Sequence, residues 1–260
     1  MEKQIVVTDV TRMSGNRVCI AGVTSEGQTI RPLFPNHEVI NEDWLYKNGK
    51  AEIFPFSKII LDLLKHEPKP PHTEDWIVNP GVKKFLGLAS ENERKRILNL
   101  TLAESVFAAF GAPIQNDRGF FINVNEGSSS LKTIKAKSVD YVKYDDCSGG
   151  KQYKLKFTDQ NDEQYLFPVT DLSFRYYLDY LSLKNNWGSG KIGLSIQNHL
   201  NKSTVYLRIG LGRPWHPEHA HRKDRHYLQI NGVYSFPDYL NNKCFADYYI
   251  EPKIEEEIPF

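Results

Sequence analysis

The sequence predicts a mostly-β fold built as two small barrels with short accessory helices. Three observations lead to this. Apolar and polar residues alternate in short runs separated by Gly-, Asn- and Ser-containing turns, the pattern of half-buried strands. Aromatic residues make up 12% of the 260 residues, with 14 Tyr and 14 Phe, which favours sheets over helical bundles. The order reads strands, a helix, strands, a helix, strands, without the βαβ rhythm of a parallel sheet.

In the first half, Ile5-Val6-Val7 opens a strand that turns through Ser14-Gly15-Asn16 into Arg17 to Val23. A second turn, Ser25-Glu26-Gly27, leads into Thr29 to Leu33. The run Ile59-Ile60-Leu61 reads as a further, buried strand, and so few strands close most economically as a strongly curved barrel. Pro68, Pro70 and Pro71 cannot continue a ladder or a helix, so 67–76 reads as an extended crossing pinned by Trp76. Ser90 with Glu93 three residues on forms a capping box, which starts a helix running through Ile97 and Leu98. Residues 103–112 either extend it or form a short second helix stopped by Gly111 and Pro113.

The second half returns to strands at Gly119–Val124 and through the alternating stretch Leu131–Tyr144. Tyr153 to Phe157 and Tyr165 to Val169 flank an Asp159–Asp162 turn. Asp171 is placed to cap a helix over 172–183, with Leu172, Tyr176 and Tyr180 at spacing four. The halves meet near residues 85–115, giving a division into 1–100 and 101–260. The acidic tail around Glu255-Glu256-Glu257 is expected to fray.

Lys and Arg total 33 against 32 Asp and Glu, a formal charge of +1, which excludes a generally basic protein but leaves local basic patches open. Three scattered cysteines, Cys19, Cys147 and Cys244, suggest a reducing compartment without a disulfide framework. No apolar run approaches the roughly 18 residues of a membrane span, and the N-terminus lacks a signal peptide's apolar core. A cytoplasmic location without membrane contact is expected.

The stretch most suggestive of function runs from Thr204 to Leu240. Val205, Leu207 and Ile209 share one strand face and Tyr206 and Arg208 the other; a second run, His226 to Ile230, stops at Asn231-Gly232, a turn dipeptide. Between them lie Arg213, Trp215, His216, His219, His221, Arg222, Lys223 and Arg225. Cations release counterions from phosphates and flat rings stack on unpaired bases, so Tyr206, Arg208, Arg213, Trp215, Arg222, Lys223, Arg225 and Tyr227 are the candidate nucleic-acid-binding residues. The plainer alternative makes Arg213-Pro214-Trp215 a structural corner whose indole seals a barrel. His216, His219, His221 and His226 could gather round a zinc or manganese ion, with Glu218 or Asp224 as oxygen ligand, but they sit in a polar loop without Cys and their spacing matches no known metal site, so a solvated basic loop is the preferred reading. Arg31-Pro32-Leu33-Phe34 reads as a strand end covering the core, and His72-Thr73-Glu74-Asp75 as a loop anchored by Trp76. No nucleophile–base pair, phosphate loop or dinucleotide fingerprint appears, so no catalytic residue, metal or cofactor is assigned.

The stretches IRPL at 30–33, PHTEDW at 71–76, IGLGRPW at 209–215 and YLQINGVYSFPDYL at 227–240 resemble the prokaryotic dual OB-containing domain family across nearly the whole chain. The resemblance implies two OB-type barrels and, by analogy, nucleic-acid binding; it carries over no catalytic residues. The expected function is binding of single-stranded or distorted DNA or RNA, in a defence or repair setting and beside a separately encoded enzyme. The alternatives are a metal-dependent hydrolase using the His216–His226 cluster, or an adaptor that binds protein or a small nucleotide.

Overall fold

The computed structural model describes residues 1–147, 150–215 and 224–250, excepting the side chains of Asp146 and Cys147. The N-terminal barrel comprises β1 (Glu2–Arg12), β2 (Val18–Val23) and β3 (Thr29–Leu33). A small hairpin, β4 (Tyr46–Lys47) with β5 (Lys50–Ala51), follows, and then β6 (Ser57–His66) and β7 (Asp75–Leu88). The barrel closes in the order β1-β2-β3-β7-β6, with β3 and β7 parallel. Ile5, Val7, Ile20, Ile30, Ile59, Leu61 and Val78 are buried and belong to the main core.

Strand β7 has no counterpart among the strands read from the sequence, and it contains Pro80 and Gly81, residues that interrupt a ladder. Its register against β6 shows why they are tolerated: Lys83 pairs with Leu61 and Val78 with Leu63, so residues 79–82 bulge out opposite Asp62. The pyrrolidine therefore sits where no ladder hydrogen bond is required.

Helix α1 (Glu91–Leu100) links the halves, and its capping box is formed: Ser90 Oγ accepts from the Glu93 N–H while Glu93 accepts from the Ser90 N–H. The second half contains β8 (Leu102–Ala103), α2 (Val106–Ala109), β9 (Gln115–Asn116), β10 (Phe120–Asn123) and β11 (Leu131–Ala136). After these come β12 (Ser138–Cys147), β13 (Gly150–Thr158), β14 (Gln164–Pro168), α3 (Leu172–Asn185), α4 (Ser189–Asn201), β15 (Thr204–Leu211) and β16 (Arg225–Phe236). One sheet of order β8-β11-β15-β16-β10-β9 curls into a half-barrel, beside a three-stranded sheet β12-β13-β14. The architecture is mostly β, with two OB-like barrels and short helices, as the sequence predicts. No helix among the described residues is long and apolar enough to cross a membrane.

Two local readings are corrected. Helix α4 follows α3 within a few residues, where the sequence suggests a single helix over 172–183. Asn231-Gly232 is not a hairpin turn: β16 runs straight through it, and the register steps from Arg208–Gly232 to Ile209–Ile230, leaving Asn231 as a bulge. The Asn231 amide packs so closely on Gly210 that a Cβ there would lie 2.2 Å from its nitrogen. Thr170 and Gln229 both donate to Asn231 Oδ1, at 3.2 and 2.9 Å.

The barrels share a seam. A second apolar cluster joins Val6, Val23 and Phe56 of the first to Ile97 and Leu98 of α1 and to Tyr206 and Tyr234 of β15 and β16. The Tyr234 hydroxyl donates to the Thr8 carbonyl at 2.6 Å. Both faces of β1 from Ile5 to Thr11, and of β15 from Val205 on, are buried.

Candidate nucleic-acid interface

Strands β15 and β16 continue past Leu211 as paired arms. The Trp215 N–H donates to the Arg225 carbonyl at 3.0 Å and the Arg225 N–H donates back at 2.9 Å. This bridge holds Trp215 beside Tyr227, ring centroids 5.8 Å apart, with the indole 56% exposed. An indole that open does not seal a core.

The two rings stand at one wall of a cleft of about 620 Å³. The β9–β10 hairpin supplies Arg118 and Phe120, the β13–β14 ladder supplies Lys154 and Leu166, and the loop after β15 supplies Arg213. Arg118 is exposed, Lys154 and Phe120 are half-buried, and Leu166 is exposed. The cleft thus offers flat faces, an apolar floor and three cations on its rim. That combination suits a base stacked on an aromatic ring with its phosphate toward a guanidinium or ammonium.

Of the residues expected from sequence, Arg213, Trp215 and Tyr227 line this cleft. Arg225 lies next to it but is committed elsewhere: it pairs with Asp117 at 2.8 Å, donates to the Tyr227 hydroxyl at 3.3 Å, and its guanidinium covers Phe121 at 4.0 Å. Its role is to hold the Tyr227 wall. Arg222 and Lys223, with His216, His219 and His221, lie outside the described residues.

Tyr206 and Arg208 do not extend the surface. Their strand face is buried against the first barrel, which is the correction the seam imposes. Arg208 is 0% exposed. Its Nη2 and Nε meet Asp9 Oδ2 at 2.9 and 3.0 Å, and its Nη1 donates to Thr101 and Thr133 hydroxyls at 3.0 and 3.3 Å. Tyr206 packs edge-on against Phe236 in the second apolar cluster.

Arg118, Phe120 and Lys154 escaped the sequence reading. Each is an isolated residue in its own strand or turn, and only the sheet register brings it to the cleft.

Behind Arg213 lies a buried ionic cluster that unites the motifs noted in the sequence. Arg213 Nη2 reaches Asp75 Oδ2 at 2.8 Å, and Arg31 binds Asp75 Oδ1 at 2.6 Å and Glu74 Oε1 at 2.8 Å. Ser130 donates to the same Glu74 oxygen. His72 is 3% exposed, with Nδ1 3.9 Å from Glu74, too long for a hydrogen bond. Burial, and then the charges of Arg31, Arg213 and His226, hold its imidazole down to about 2. His226 packs edge-on against it at 5.2 Å and donates to the Gly212 carbonyl at 2.8 Å. His72-Thr73-Glu74-Asp75 is thus a seam element, beyond the anchored loop expected of it. Arg31 likewise does more than end a strand. Among the described residues no group of three His, Cys, Asp or Glu side chains could hold a metal ion.

A family model described as the dual OB-containing domain matches residues 3–233. No curated protein matches the chain.

Proposed function

The chain belongs to the dual OB-containing domain family, and from that premise we propose that it is a nucleic-acid-binding module for single-stranded or locally unpaired DNA or RNA. The observation that carries this reading is the exposed Trp215–Tyr227 pair at a cleft rimmed by Arg118, Lys154 and Arg213. Bases stacked in a duplex cannot present their faces to such rings, so the substrate is unpaired where it enters. Backbone phosphates crossing the rim would meet Arg118 and Lys154, which among the described residues form no ion pair. Recognition is this chain's share of the work; chemistry on the bound strand falls to a separately encoded enzyme, in a defence or repair setting.

Titration of the full chain with short single-stranded and duplex oligonucleotides at two salt concentrations tests this. Trp215→Ala is expected to weaken single-strand binding by about 1–3 kcal/mol per stacked base, with little change in salt slope and an unshifted thermal melt. Arg118→Gln and Lys154→Gln are each expected to reduce the single-strand salt slope by about 0.7. Equal affinity for duplex and single strand, or full binding by Trp215→Ala, overturns the reading.

A further inference from the structure

On the other face of the β12–β13–β14 sheet lies a larger cleft of about 1070 Å³. Lys154 points into the first cleft and its neighbour Tyr153 into this one, as adjacent residues of a strand must. The walls come from Arg12, at the end of β1, from Glu42 and Tyr46, from Lys151 and Tyr153 of β13, from α3, and from Tyr248, Tyr249 and Ile250.

The charges in this cleft are unevenly satisfied. Its carboxylates Glu42, Asp43 and Asp179 balance Arg12, Lys151 and Arg175 in number, yet two of the three are already engaged. Asp179 accepts from the Tyr153 and Tyr144 hydroxyls at 2.8 and 3.1 Å and pairs with Lys151 at 3.1 Å. Glu42 accepts from the Tyr176 hydroxyl at 2.8 Å. Asp43 is exposed on its turn.

The two arginines, by contrast, form no ion pair with any carboxylate among the described residues. Arg12 lies over the Tyr176 ring at 5.7 Å and Arg175 over the Tyr153 ring at 4.9 Å. Arg175 spends its Nε on the Val169 carbonyl at 2.8 Å. Burial lowers the basicity of Arg175 and the charge of Arg12 adds to the effect, against the opposing pull of Tyr153, Asp171 and Asp179. Two guanidinia with like charge, backed by ring faces and opening on one cavity, are stabilised by a ligand with at least two anionic oxygens. Tyr249, 48% exposed and 5.5 Å from Tyr176, adds a flat face at the rim.

We propose that this cleft binds a nucleotide, with its phosphates on Arg12 and Arg175 and its ring against Tyr249. The site is separate from the Trp215 cleft and stands or falls independently of the function proposed there.

Calorimetric titration of the full chain with ADP, inorganic phosphate and adenosine tests the proposal. ADP is expected to bind, phosphate to bind more weakly and compete with it, and adenosine to bind least. Arg12→Gln, a change at an exposed side chain, is expected to weaken ADP about tenfold or more, as loss of a charge-assisted contact should. Arg175 also holds the Val169 carbonyl, so its variant could fail by misfolding, and Arg12 is the informative position. Trp215→Ala is expected to leave ADP affinity unchanged. Full ADP affinity in Arg12→Gln, adenosine binding as tightly as ADP, no ADP binding at millimolar concentration, or loss of ADP binding in Trp215→Ala would each overturn it.

Discussion

Three buried residues, His72, Asp171 and Arg208, make the most direct demands on the chemistry. His72 stays neutral down to about pH 2 in the folded protein, whereas an unfolded chain protonates it near its ordinary value of 6.5. Below that value the unfolded state binds the extra proton, so His72 costs stability as the pH falls. Between pH 7 and pH 5 the loss is about 2 kcal/mol. Asp171 acts in the opposite sense, because burial pushes its carboxyl up to about 7 and the folded state takes up its proton first. Comparing denaturant melts of the wild type and His72→Gln at the two pH values isolates the histidine: the variant is expected to lose less stability on acidification, and equal losses would refute it. Arg208 offers a second check. Arg208→Met strands the Asp9 carboxylate in the seam and is expected to cost about 3–5 kcal/mol, while Arg208→Met with Asp9→Leu recovers much of it. Urea melts of the single and double variants decide, and a double variant no more stable than the single would sink the idea. The same residue shows what alternation conceals. Period two in Val205–Ile209 assigns two faces correctly, but it does not say whether the polar-looking face meets water or another layer. Arg213, Trp215 and Tyr227 were legible because cations and rings crowd one short stretch of chain, whereas Arg118 and Lys154 reach the cleft only through pairings that sequence spacing does not encode.

At the scale of elements, the features that the sequence announces are those with a local cause. The Ser90–Glu93 box and the Asp171 cap, which accepts from the Ser173 and Phe174 N–H groups, each act within four residues. Strand β7 and helix α4 break local rules for reasons that lie elsewhere in the fold. In α4, Ile192, Ile196 and Leu200 recur at spacing four and are all buried, so an amphipathic signal was present. Gly190 and Gly193 lowered its apparent helix propensity. Gly193 is required because α4 presses onto β12: a Cβ at that position would lie 2.4 Å from the Val142 carbonyl oxygen. Gly193→Ala is therefore expected to destabilise by about 1–3 kcal/mol, against the gain an exposed helical Gly→Ala change gives. Gly190→Ala, with nothing within 4 Å, supplies the control in parallel thermal melts. A Gly193→Ala variant as stable as the control would mean that α4 stands further from the sheet.

For the whole molecule, the seam joins β1 to β15 and β16, the last strands among the described residues. Asp9 waits for Arg208, 199 positions later, and Thr8 for Tyr234, 226 positions later. A ribosome adding about 5–20 residues per second needs on the order of 10–40 s to cover the first interval. Throughout that time β1 and β2 present Val6 and Val23 without their cover, beside a carboxylate whose counter-charge has yet to be made. The N-terminal barrel therefore emerges from the ribosome with a sticky flank. Ribosome-bound chains halted with β7 clear of the exit tunnel and β15 not yet made are expected to recruit chaperones or to be cut by protease along β1, and chains in which β16 has also cleared it to resist both. The time between making β1 and making β15 is thus a window of exposure to aggregation, and slowing translation across the second half lengthens it in proportion.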